Sequence, residues 1–137
     1  MTDPSPLHRV FLSYSMADDS TAQLLRGYLI ARGIDVISDD AVGQGEEWDE
    51  AVQQGIERSD AIVLLVSPAS LRSGAVMYEA GLAFRHSREE PTRLIAILLG
   101  DIEPSQVPLP LARSAQIDAR SLGNRDLLER VDRALAA

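Results

Sequence analysis

Short apolar runs alternate along the chain with stretches whose apolar residues recur at helical spacing. Arg9–Tyr14 is almost continuously apolar and aromatic, as a strand buried on both faces requires. Asp18-Asp19-Ser20 offers N-cap residues for a helix in which Ala22, Leu25 and Leu29 fall at i, i+3 and i+7, and Gly33 stops it. Ile34–Ser38 predicts a short strand, and Asp39–Glu47, with Gly43 and Gly45, predicts a loop. Trp48, Val52 and Ile56 recur at i, i+4 and i+8, so a helix follows. Ala61–Val66 is the most strand-like segment of all. Ser67-Pro68 reads as an N-cap with proline at the first helical position, and Gly74 is expected to interrupt the helix it starts. The next stretch, Ala75–Arg88, carries Val76, Ala80, Ala83 and Phe84 on one face. Leu94–Leu99 predicts a strand, and Ala115–Asp118 a shorter one. Gly100–Pro110, with three prolines, is expected to hold no regular structure. Asn124 is expected to cap a last helix that turns Leu128, Val131 and Leu135 inward.

Five strands alternating with helices imply an α/β protein with a parallel sheet covered on both faces. Short connections and right-handed crossovers favour a flavodoxin-like, doubly wound order, 2-1-3-4-5. In such a sheet ligands bind beyond the carboxyl ends of the strands, at the switch point between strands one and three. The residues there are Ser13–Met16 and Ser67-Pro68. The Asp39–Trp48 loop and the helix carrying Glu79 approach the same edge.

At 137 residues the chain suits one domain: a flexible lead-in, 1–7, and a folded unit, 8–136. No apolar run approaches a membrane span, the N-terminus does not read as a signal peptide, and cysteine is absent. These features suit the cytoplasm. The formal net charge of −8 disfavours binding to nucleic-acid backbones. All 13 basic residues are arginine. Without lysine there is no Walker A loop, no Schiff-base amine and no receiver-domain active site. Ser15-Met16-Ala17-Asp18-Asp19 is a poor phosphate cradle, and no G-x-G-x-x-G follows a strand. His8 and His86, the two histidines, lack metal-ligand or triad spacing, so no metal is expected.

Several pieces then fall in one order on the right elements. They are Phe11-Leu12-Ser13-Tyr14-Ser15 with Asp18 or Asp19, then Gly45-Glu46-Glu47-Trp48, then Ser67-Pro68, then Ser73 six residues before Glu79. Together they resemble a TIR (Toll/interleukin-1 receptor) domain of the bacterial type across nearly the whole chain. That family contains both NAD-cleaving enzymes and pure interaction modules. The resemblance implies that Glu79 is the catalytic residue acting at the NAD ribose. Cleaving the nicotinamide–ribose bond builds oxocarbenium-like charge that a fixed carboxylate stabilises. Nicotinamide leaves neutral, so one carboxylate suffices and no cofactor is expected; NAD+ is the substrate.

By the same resemblance Tyr14, Ser15, Trp48 and Ser73 are substrate-binding residues. Gly43, Gln44, Gly45, Glu46 and Glu47 form a loop that contacts other TIR domains. Plainer readings stand beside these. Glu79 on the flank of its apolar stripe reads equally as a solvated helix residue. Tyr14 and Ser15 read as core and turn. Trp48 reads as the anchor of its helix. The sequence departs from the enzymes' pattern at Ala75, where many have tryptophan, and at Met16, where a polar residue is usual; Trp48 and Tyr78 are the aromatics available to replace the missing wall.

The resemblance therefore implies an NAD+ hydrolase, forming ADP-ribose or a cyclic ADP-ribose, activated by self-association in bacterial immunity or signalling. The alternative is a non-catalytic TIR–TIR scaffold. A nucleoside deoxyribosyltransferase, which shares the fold type and a glutamate, has too little of its strand-one pattern here.

Overall fold

The computed structural model describes residues 7–38, 46–112 and 114–136. In chain order its elements are β1 (Arg9–Ser13), α1 (Asp19–Ala31), β2 (Asp35–Ile37), α2 (Glu46–Glu57), β3 (Ala61–Val66), α3 (Pro68–Leu71) and α4 (Gly74–Glu89). They continue with β4 (Arg93–Leu98), α5 (Leu109–Ala112), β5 (Ala115–Asp118) and α6 (Asn124–Ala136). One-turn 3-10 helices occupy Met16–Asp18 and Pro104–Gln106. The strands form one parallel sheet in the order β2-β1-β3-β4-β5, as the alternation predicts.

The sheet divides the core in two. Strand alternation sends Val10, Leu12 and Tyr14 to the face covered by α1 and α6, where Leu25, Leu29, Val131 and Leu135 pack. Phe11 turns to the other face, under Val52 and Ile56 of α2 and Ala80 and Ala83 of α4. The central strand β3 is buried at all six positions, which explains its unbroken apolar run. Gly55 lets α2 sit directly on the sheet, because a Cβ there would stand 3.1 Å from the Phe11 ring. Gly33 ends α1 with φ 80°, a conformation that favours glycine.

Three expectations change. Gly100–Pro110 holds regular structure after all: a 3-10 turn, in which Glu103 and Gln106 form a reciprocal cap, and the start of α5. Proline fits both because each turn begins at a position that needs no N–H. Asp18 precedes α1 but makes no side-chain cap; its carboxylate is engaged elsewhere. In α6 it is Leu127, with Val131 and Leu135, that is fully inward, while Leu128 packs at the margin. The expected lead-in lies outside the described residues over positions 1–6.

Candidate functional site

The carboxyl ends of β1 and β3 are joined by side chains. Ser67, the N-cap of α3, accepts a hydrogen bond from the Ser70 amide at 3.1 Å and donates its hydroxyl proton to Asp18 Oδ2 at 2.5 Å. One hydroxyl thus starts a helix and bridges the switch point, using both its donor and an acceptor site. This is why Asp18 does not cap α1.

Ser73 performs the same local task for α4. Its Oγ accepts from the Val76 amide at 3.2 Å and so sets where the helix begins. That start places Val76, Glu79, Ala80 and Ala83 on the buried face. Glu79 therefore lies within the inward stripe, not on its flank, and has no exposed surface. Sequence reasoning named it as the catalytic candidate but placed it beside the stripe; by spacing it falls at i+3 from Val76, a core position. Its Oε1 accepts a 2.6 Å hydrogen bond from the Ser13 hydroxyl at the end of β1. The distance lies at the short end of the range for an O–H···O hydrogen bond.

Ser13, which sequence reasoning placed at the switch point without giving it a role, is a further candidate. Strand periodicity holds the signal: Phe11 and Ser13 share the α2/α4 face, whereas Tyr14 points to the opposite one. Tyr14 is 5% exposed and belongs to the α1/α6 core; its hydroxyl lies 3.5 Å from Asp19 Oδ1. Glu79 and Tyr14 are thus on different sides of the sheet. Ser15 N-caps the 3-10 turn, accepting from the Ala17 amide at 3.3 Å. Met16, in that turn, is 71% exposed.

Trp48 packs against the α2/α4 core and meets Tyr78 of α4, ring centroids 5.7 Å apart and planes tilted by 37°. The Tyr78 hydroxyl donates to Asp49, a bond that raises the phenol above its ordinary pKa, and accepts from Gln53 Nε2 at 3.4 Å. The two aromatics named as replacements for a tryptophan at position 75 are therefore one clasp between α2 and α4. Ala75 itself is exposed. Of the expected interaction loop, Gly43, Gln44 and Gly45 lie outside the described residues, while Glu46 and Glu47 begin α2. Among the described residues no group of His, Asp or Glu has the arrangement to hold a metal, and no helix is long and apolar enough to cross a membrane.

These features define a doubly wound α/β domain with a buried glutamate at the switch point of its sheet. The TIR domain family model matches residues 10–135, and the chain belongs to that family. No match is found among curated proteins. Among solved structures, the TIR domain of the Toll-related receptor TRR-2 from Hydra magnipapillata is 20% identical, with TM-score 0.74, covering 93% of this chain and 98% of that one. A metazoan TIR-STING receptor from C. gigas is 22% identical with TM-score 0.73; the match covers 100% of this chain and 43% of the receptor. The CMP N-glycosidase BcmB from Clostridium botulinum is 18% identical with TM-score 0.66, covering 90% and 97%. At these identities the likeness is one of fold.

Proposed function

We propose that this domain cleaves the nicotinamide–ribose bond of NAD+, with Glu79 as the catalytic carboxylate, and that it does so when copies associate. The observation that carries the reading is the fully buried Glu79, held by Ser13 at the carboxyl end of β1. Burying a carboxyl group in an apolar layer costs folding free energy that Leu or Met at the same position would not. Costly buried ionisable groups cluster at functional sites, and this one lies where doubly wound sheets bind ligands.

In the reaction the C–N bond to the anomeric carbon breaks and its electron pair passes to the nicotinamide ring nitrogen. The pyridinium thereby becomes neutral nicotinamide. The sugar carries the positive charge, which the Glu79 carboxylate stabilises. Water adds to the anomeric carbon and releases a proton, giving ADP-ribose; attack by an adenine nitrogen gives a cyclic product instead. Trp48 and Tyr78 supply aromatic surface beside the helix of Glu79. NAD+ is an intracellular dinucleotide, so this action belongs to the cytoplasm. The complete burial of Glu79 in a single copy fits a site that opens on association.

A second reading, a non-catalytic TIR–TIR module, is favoured by Ala75, which leaves the start of α4 without an aromatic. The likeness to an enzyme described as a CMP N-glycosidase makes CMP the appropriate second substrate to test.

The decisive assay incubates concentrated protein with NAD+ or CMP, with and without a crowding agent, and separates the products. The expected result is nicotinamide release by the wild type and a loss of roughly 10²–10³ in rate for Glu79→Gln. No turnover under associating conditions favours the interaction module. Equal turnover in both proteins removes Glu79 from the mechanism. Cleavage of CMP alone moves the substrate.

A further inference from the structure

We infer that Ser13 is a positioning residue for Glu79: its hydroxyl fixes the carboxylate in the orientation that faces the reacting sugar. The inference rests on the proposed NAD+ reaction and adds to it a residue on a different element. Three observations carry it.

The first is geometry. Ser13 Oγ lies 2.6 Å from Glu79 Oε1, and both residues have no exposed surface. The second is the rigidity of the anchor. Ser13 is the last residue of β1, a central strand, and its backbone is in register with Leu64 of β3. Groups on a packed strand are held more closely than groups on a loop. The third is the surroundings of Glu79, which shares its helix face with Val76, Ala80 and Ala83. A hydrogen bond is directional, so the Ser13 hydroxyl constrains how the Oε1 side of the carboxylate is turned.

A catalytic carboxylate needs that direction. Stabilisation of a developing cation falls off as the charges separate, and a displacement of about 1 Å lowers rate substantially. Because Ser13 acts through Glu79, its loss reduces kcat and leaves substrate binding largely intact. A bond that only supports folding would lower stability without moving kcat.

The test compares wild type, Ser13→Ala, Ser13→Cys and Ser13→Thr under associating conditions, each checked by thermal melting. The expected result for Ser13→Ala is a fall in kcat of roughly tenfold to a hundredfold with KM within about twofold, the scale of one hydrogen bond to a charged group. Ser13→Thr, which keeps the hydroxyl, restores most of kcat. Ser13→Cys, nearly isosteric with a weak donor, falls between, and decides the matter should Ser13→Ala not fold. Unchanged kcat in a folded Ala or Cys variant overturns the inference, as does a loss confined to KM or a loss that threonine does not rescue. Crystal structures of the wild type and the Cys variant supply an arm independent of turnover. A Glu79 carboxylate displaced or split between rotamers in the variant supports the inference, and an unmoved one overturns it. Absence of turnover in the wild type removes the NAD+ reading alone and leaves the crystallographic comparison to decide the role of Ser13.

Discussion

The two faces of the sheet are built from the same strands and differ in what they bury. Against α1 and α6 the strands present Val10, Leu12 and Tyr14, and the helices answer with apolar side chains such as Leu25, Leu29 and Val131. Against α2 and α4 the same β1 presents Phe11 and then Ser13, and α4 answers with Glu79 among alanines. The α1/α6 face is apolar at these positions apart from the Tyr14 hydroxyl. The other accepts a buried carboxyl and a hydroxyl next to the edge where ligands bind, the kind of local cost that functional sites carry. The lesson is that a site need not interrupt the fold: here it occupies one residue on each of two regular elements, in a layer that is otherwise ordinary core.

The contrast is broken most strongly at Glu79. Glu79→Met is expected to abolish nicotinamide release while leaving the melting temperature equal to or above that of the wild type. A large loss of stability would show instead that the carboxyl holds the layer together. Leu25→Ala strikes the other face. The expectation is a loss of about 2–5 kcal/mol in urea denaturation, with the rate per folded molecule unchanged. A selective loss of rate would couple the α1 face to the site.

Gly55→Ala probes how α2 is seated over Phe11. A Cβ at 3.1 Å from the ring requires Phe11 or α2 to give by a few tenths of an ångström, an overpacking cost of about 1–3 kcal/mol partly offset by about 1 kcal/mol of helix propensity. A net gain in stability would mean that one of them shifts freely. The smallest effect lies at the sheet edge, away from both layers. The side-chain hydrogen bond from Arg120 lowers Asp118 from its ordinary value to about 2. Its folded value is below the unfolded one, so the contribution is present above about pH 4 and is lost as pH falls toward 2. The pair is exposed, and the difference between wild type and Asp118→Asn should be small above pH 4 and vanish near pH 2; a difference that persists at pH 2 would trace to something other than this pair.

Much of this was legible in the chain. The unbroken run Ala61–Val66 marks the central strand because both its faces are covered, and the i, i+3, i+7 spacing of Ala22, Leu25 and Leu29 matches the three buried residues of α1. Glu79 was legible as a candidate through resemblance, but its depth was not. An acidic residue beside an apolar stripe reads as surface unless a partner is known, and the partner stands 66 positions earlier in the chain. The regular structure within Gly100–Pro110 was hidden by its prolines, which mark loops and helix starts alike. Asp18 shows a similar limit: its type and place suggest a cap, yet Ser67, 49 residues away, claims its carboxylate.

Local sequence thus determined the elements, their order in the sheet and the edge at which a site belongs, because periodicity, turn residues and the handedness of crossovers act over short stretches of chain. Tertiary structure alone decided which helix covers which face, and so which of two neighbouring residues at the end of β1 meets the glutamate. Ser13 and Tyr14 differ by one position and point to opposite sides of the sheet. Which side carries chemistry depends on where α4 packs, and that depends on contacts between segments far apart in sequence.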